Sequence, residues 1–324
     1  MARNTTISIL SVPHPVLEAK IGCYHDYERQ IKAFWMAQLD KVLPSKPDII
    51  ILPECCDRFD RYGYPEGDLY QNDTMEYARY MEDKLTEFFA PIARDNNTNI
   101  AYSSVRYVPY DEKYHYRNST IYIGRDGDVC GIYDKNHLVV EENTIYNTAY
   151  GTEAKAFDLD FGRVASAICF DLNFNELMEG YKVQHPELIV FCSEFNGGLK
   201  QEYWAYECQS YFAGAIALTP GRIINPLGET VASATNYTPH ASATVNLDYR
   251  LCHFDYNWER FTSAKEKYKD ALTIHDPGKV GCVMLSYNDT DKTVEDVIDE
   301  FGIERLDEYF ARARAHRAEH GSVI

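Results

Sequence analysis

Short apolar runs alternate along the chain with segments whose apolar residues recur at helical spacing. Ile7 to Val12 reads as a strand, and Tyr27, Ile31, Phe34, Leu39 and Val42 follow as one helix face. DIIILPE, residues 48–54, is apolar without alternation, the pattern of a strand buried on both faces. Asp73 and Glu76 resemble a capping pair ahead of a helix bearing Ala78, Met81, Leu85, Phe88 and Ile92. Strands are predicted at 99–107 and 119–124, with Asp126-Gly127 turning into a returning strand over 129–138. VASAICF at 164–170 and LIVFCSEF at 188–195 are further buried strands. A helix is expected over Asn173 to Val183, and another over 200–215 with Trp204, Cys208, Tyr211 and Phe212. Strand-like segments near 222–234 and 243–248 complete the pattern.

This alternation predicts an α/β layered fold with a mixed sheet. No linker rich in Pro, Gly or Ser divides the chain, and one domain is expected over residues 1–275, its pattern clearest to about 262. Residues 276–324 read as a C-terminal extension packed on that domain or on a partner. It holds a strand at 280–287 and charged helices over 293–319, with Val294, Val297, Ile298, Phe301, Leu306, Tyr309, Phe310 and Ala313 as apolar positions.

Composition narrows the function. Fifty acidic against 32 basic residues give a net charge of −18. That balance argues against nucleic acid, whose backbone demands clustered Lys and Arg, and against an anionic membrane surface. The nine cysteines are an odd number and include no Cys-x-x-Cys pair. The first ten residues are too polar for a signal peptide, and no apolar run is long enough to span a bilayer. A reducing, cytoplasmic location with free thiols is expected.

Glu54 ends the strand DIIILPE, Lys135 lies near a strand end in GIYDKNHL, and Cys169 ends VASAICF just ahead of a helix. Functional groups gather beyond strand ends in open α/β sheets, so the three can meet on one rim. Taken singly, each has a plainer reading: a core thiol, a solvated carboxylate, a surface charge.

Together, LPE at 52–54, YDKNHL at 133–138 and ICFDLNFNE at 168–176 resemble the three motifs of the nitrilase superfamily of carbon–nitrogen hydrolases, in the same order. EYW at 202–204, YECQ at 206–209 and IINPLGE at 223–229 extend the resemblance over roughly residues 5–262. The resemblance implies a four-layer αββα sandwich and a Glu54–Lys135–Cys169 catalytic set that attacks a small amide or N-carbamoyl compound through a thioester. It implies no metal and no organic cofactor. Lys135 and the following helix N-terminus are expected to favour the Cys169 thiolate, and Lys135 with the Phe170 N–H to hold the oxyanion. The family's second glutamate is assigned to Glu142 in preference to Glu141. Glu194, closing LIVFCSEF, is expected to line the pocket and pair with a cationic substrate group. His137 reads as structural. Asn173 and Asn175 stand where the family often has Arg and Pro, so no relative's substrate transfers. Phe170-Asp171 replaces the Trp-Glu common in nitrile-cleaving members and favours amides. The competing readings are a non-catalytic relative working as a binding protein and a nitrile hydrolase. Helices covering one face of the sandwich, as in relatives, predict a homodimer or larger even-numbered homo-oligomer with the tail at the contact.

Overall fold

Ile49–Ile51 pairs in parallel with Asn4–Leu10 on one side and Asn99–Tyr107 on the other. That central position explains its unbroken apolar sequence, since both faces are covered. The computed structural model describes residues 1–17, 22–58, 60–61, 68–108 and 115–321. Around this strand a six-stranded sheet runs in the order His240–Asn246, Asn4–Leu10, Ile49–Ile51, Asn99–Tyr107, Tyr116–Ile123, Val129–Asp134. A second six-stranded sheet runs Thr230–Ser233, Arg222–Ile224, Tyr211–Ile216, Leu188–Ser193, Arg163–Ile168, Phe157–Asp158. The strands at the centre of each sheet are parallel, and antiparallel hairpins complete the edges.

The sheets stack face to face. Thr120 donates to the Cys192 sulfur at 3.7 Å, and the Tyr122 and Ser166 hydroxyls meet between them. Helices Tyr24–Val42 and Lys84–Asp95 cover the outer face of the first sheet, seating Ile31, Trp35, Leu39, Leu85 and Phe89 against Ile50, Ile100, Tyr102 and Ile121. Each such buried side chain contributes roughly 1.5–3 kcal/mol of transfer free energy. The buried Trp35 indole keeps its hydrogen bond by donating to the Cys56 carbonyl. Asn175–Lys182 and Leu199–Glu207 carry Met178, Tyr181 and Trp204 against the second sheet, where Tyr181 donates to the Ser166 carbonyl. The architecture is the expected αββα sandwich.

Three local expectations change. The segment expected as one helix over 200–215 is a helix to Glu207 and then the strand Tyr211–Ile216, parallel to Leu188–Ser193. The turn between them holds Gln209 at φ 51°, and the buried run YFAGAI was short enough to suit either state. The helix expected after Asp73 is two helices, Asp68–Met81 and Lys84–Asp95, with Phe89 rather than Phe88 in the core. Asp73 lies inside the first of them, where its carboxylate accepts the Tyr24 hydroxyl at 2.8 Å instead of capping. The returning strand after Gly127 stops at Asp134, one residue before Lys135.

The chain forms two compact units, Thr6–Ala243 and Met1–Thr5 with Thr244–Ile324, so the division falls near 244 where the sequence placed it at 275. The residues after 275 share a core with those before it. Cys282–Tyr287 lies between Tyr249–His253 and Leu272–His275 in an antiparallel sheet. Helices Trp258–Tyr268 and Val294–Phe301 cover it with Phe261, Ala264, Val297 and Ile298. Thr293 and Asp296 cap the second helix reciprocally, and Gly302 ends it at φ 61°. Among the described residues no helix is long and apolar enough to cross a membrane.

Candidate functional site

Glu54 lies three residues past Ile51, Lys135 directly follows Asp134, and Cys169 directly follows Ile168. The sandwich brings these strand ends together. Lys135 Nζ lies 2.9 Å from Glu54 Oε1, and 3.1 and 2.9 Å from the two carboxylate oxygens of Glu142. Cys169 lies close enough to Glu54 and Lys135 for both their charges to act on its thiol. Glu142, in the short helix Val140–Thr144, also accepts the Val139 N–H at 2.8 Å, while Glu141 is exposed.

Asn118, which the sequence reading passed over, ties the two carboxylates together. Its amide donates to Glu54 Oε1 at 2.9 Å and to Glu142 Oε1 at 3.0 Å. Ser103 in the neighbouring strand donates to the Asn118 side-chain oxygen Oδ1 at 3.3 Å and receives the Cys55 N–H at 3.1 Å. A polar residue inside the buried strand YRNSTIYI was the available signal, because buried amides are held by partners.

Cys169 adopts φ 46°, a left-handed conformation that L side chains rarely take. Such strain costs on the order of 1–3 kcal/mol and persists where the surroundings over-determine it. Asp171 supplies that constraint. Fully buried, its carboxylate accepts the Ile168 N–H at 3.0 Å, the His137 N–H at 2.7 Å and the Tyr133 hydroxyl at 2.7 Å. One side chain thus fixes both the turn that presents Cys169 and the loop that follows Lys135. His137 is structural as expected: its ring bonds Asp171 and stacks on Phe174 with centroids 3.8 Å apart.

The electrostatics differ from the sequence expectation. Burial first, and then the Glu54 charge, push the Cys169 thiol up to about 12, and Lys135 pulls the other way without prevailing. The resting group is a thiol, not the thiolate expected from Lys135 and the helix N-terminus. Burial disfavours the Lys135 ammonium, but Glu54 and Glu142 outweigh it and raise the pKa above the ordinary lysine value. Thiol and ammonium are therefore the favoured forms of Cys169 and Lys135 here. Phe170 is the second residue of the 3-10 turn Cys169–Asn173, where the backbone N–H has no acceptor within the turn.

Glu194 reaches the same rim, with its N–H donating to Glu54 Oε2 at 3.2 Å. Its carboxylate is engaged by His14 at 3.1 Å and Arg58 at 2.9 Å, and the His14 hydrogen bond first, then the Arg58 charge, hold it below the usual glutamate range. The side chain expected to pair with a cationic substrate group is already paired within the protein.

A cavity of about 160 Å³ opens against the cluster, with Asn118 and Glu142 in its wall and Asp57, Arg58, Tyr77 and Tyr116 among its other lining residues. Burial pushes the Asp57 carboxyl from 3.8 up to about 6, and hydrogen bonds from the backbone and Ser104 offset only part of that. A carboxyl raised in the folded state adds stability below its unfolded pKa and loses it as pH rises through the folded value. Asp57→Asn should therefore stabilise the protein at pH 7 by on the order of 1–3 kcal/mol, a gain that shrinks below pH 6 and vanishes near pH 4. Urea midpoints at the two pH values check this, and equal gains at both would show that burial of the charge is not the cause.

Residues 32–218 match the family model described as carbon-nitrogen hydrolase. The chain is 24% identical over 225 residues to the omega-amidase NIT2-B of Xenopus laevis, covering 62% of this chain and 77% of that protein. It is 22% identical over 243 residues to the deaminated glutathione amidase of Dictyostelium discoideum, covering 65% and 80%. Among solved structures, Saccharomyces cerevisiae Nit3, a member of branch 10 of the nitrilase superfamily, superposes with a TM-score of 0.60 at 15% identity, covering 86% of this chain and 97% of that one.

Proposed function

The chain belongs to the carbon–nitrogen hydrolase family, and on that premise we propose that it hydrolyses the amide C–N bond of a small molecule through a thioester on Cys169. The observation that carries this reading is that Lys135 bridges Glu54 and Glu142 at the strand ends, with Cys169 within electrostatic reach of both Lys135 and Glu54.

With the thiol at about 12, attack requires proton transfer in the same step. Glu54 takes the thiol proton as Sγ bonds to the amide carbon. The carbonyl oxygen becomes an oxyanion, held by the Lys135 ammonium and the Phe170 N–H. Protonated Glu54 then gives its proton to the leaving nitrogen, the C–N bond breaks, and a thioester remains. In the second half Glu54 takes a proton from water, the hydroxide adds to the thioester carbon, and the C–S bond breaks with return of the proton to sulfur. Glu142, with Asn118, keeps Lys135 and Glu54 in register.

The relatives named as amidases support amide over nitrile cleavage, as does Phe170-Asp171 after the nucleophile. Asn173 donates to the Phe170 carbonyl at 3.1 Å, so this position, expected to differ from the family, serves the turn itself. The test is ammonia release over a panel of small primary amides and N-carbamoyl compounds, with Cys169→Ala as control. At least one amide should release ammonia with wild type and not with the control. Equal release by both proteins would overturn the reading.

A further inference from the structure

Building on the amide-hydrolase reading, we propose that the cavity against the cluster is a substrate subsite for a short aliphatic tail ending in an ammonium or guanidinium group, with Asp57 as its counter-ion. The cavity wall includes Asn118 and Glu142, which hydrogen-bond Glu54 and Lys135, while Glu54, Lys135 and Cys169 lie just outside its lining. A tail entering it belongs to a molecule whose amide sits at the cluster.

The charges around the cavity select the tail. Glu142 shares the Lys135 ammonium with Glu54, and Arg58 is paired with Glu194. Asp57 lines the same space at 4% exposure, and its Oδ1 has no hydrogen-bond partner. A buried carboxylate without a cation is costly, and a ligand that brings the missing cation recovers that cost. The raised Asp57 pKa is the direction burial produces when hydrogen bonds and the nearby His14 offset only part of it.

The remaining lining is apolar. Val105, Met75 and Ala78 supply aliphatic surface. Tyr77 and Tyr116 commit their hydroxyls to the Asp57 and Met75 carbonyls, each at 3.0 Å, so they contribute rings and not hydroxyl donors to the cavity wall. Aromatic rings beside a carboxylate suit a cation carried on an alkyl chain. The volume, about 160 Å³, matches a space that accepts a molecule of about six heavy atoms.

Three primary amides decide the matter: δ-aminovaleramide with a cationic tail, caproamide as its neutral isostere, and glutaramate with an anionic tail. Wild type should hydrolyse δ-aminovaleramide with kcat/KM at least about tenfold above caproamide, with glutaramate lowest. Asp57→Asn should collapse the cationic-to-neutral ratio toward one. Equal ratios in wild type, or a preference for glutaramate, which would point to Arg58 instead, overturns the subsite. A second measurement is independent of turnover: calorimetric binding of n-pentylammonium to the intact protein, expected to weaken at least about tenfold in Asp57→Asn. Failure of every amide to react would count against the hydrolase reading, whereas failure of n-pentylammonium to discriminate the two proteins would count against the subsite alone.

Discussion

Cys169→Ala is expected to leave a folded protein whose kcat/KM for its amide substrate falls by at least about four orders of magnitude. The loss is large because no other thiol can substitute. Among the described residues Cys55, Cys56 and Cys192 are fully buried or nearly so, and burial raises each above the ordinary thiol range. The fold should survive, because the change removes one partly buried sulfur and alanine tolerates φ 46° no worse than cysteine does. Cys169→Ser should be nearly as inactive, since a hydroxyl is a far weaker acid than the thiol that Glu54 must already deprotonate. Initial rates, with urea midpoints to verify folding, check both variants. An alanine variant within tenfold of wild type would remove Cys169 from the chemistry.

The residues that meet at this site were legible in sequence to different degrees. Glu54, Lys135 and Cys169 each close or follow an apolar strand, and a strand's end is visible as the point where the apolar run stops. Glu142 was preferred to Glu141 from the resemblance alone; the physical reason is visible only in three dimensions, where the first turn of a short helix brings the Glu142 carboxylate to Lys135 and leaves Glu141 exposed. Asn118 and Asp171 escaped because their importance lies in partners distant along the chain: Asn118 joins residues 54 and 142, and Asp171 joins 133, 137 and 168. The resting protonation of Cys169 escaped for a related reason. Sequence showed a lysine that would favour the thiolate, but the opposing contributions, burial and the Glu54 charge, are properties of the assembled site.

The same limit applied to the elements. The strand Tyr211–Ile216 looked helical because a short apolar run fits either period, and pairing with Leu188–Ser193 decides it. The division near residue 244 was invisible because Leu272–His275 and Cys282–Tyr287 reveal themselves as one sheet only when paired, and no linker marks the change. The layered fold itself was legible, since unbroken apolar runs identify central parallel strands and the helical stripes between them identify their covers.

Lys135→Met should lower kcat by roughly a hundredfold to a thousandfold or more through loss of an oxyanion donor, and should also destabilise the protein. The two effects have separable origins. Lys135 is 2% exposed and lies 2.9 Å from each of two carboxylates. Removing the only ammonium in this cluster leaves Glu54 and Glu142 facing one another across Asn118, and breaking a buried ion pair in this way costs roughly 3–5 kcal/mol. In the variant the mutual repulsion raises the carboxyl pKa values in the folded state above those of the unfolded chain. Its stability deficit should therefore be largest near pH 7 and narrow as pH falls toward 5, because the folded variant binds the additional proton more readily. Adding Glu142→Gln to Lys135→Met removes one of the repelling charges and should recover most of the stability at pH 7 without recovering turnover. Urea denaturation at the two pH values and initial rates on the same preparations test both halves. Recovery of activity along with stability would mean that Lys135 serves only to hold the carboxylates. A stability deficit that does not change with pH would mean that the cluster is held by packing and not by charge.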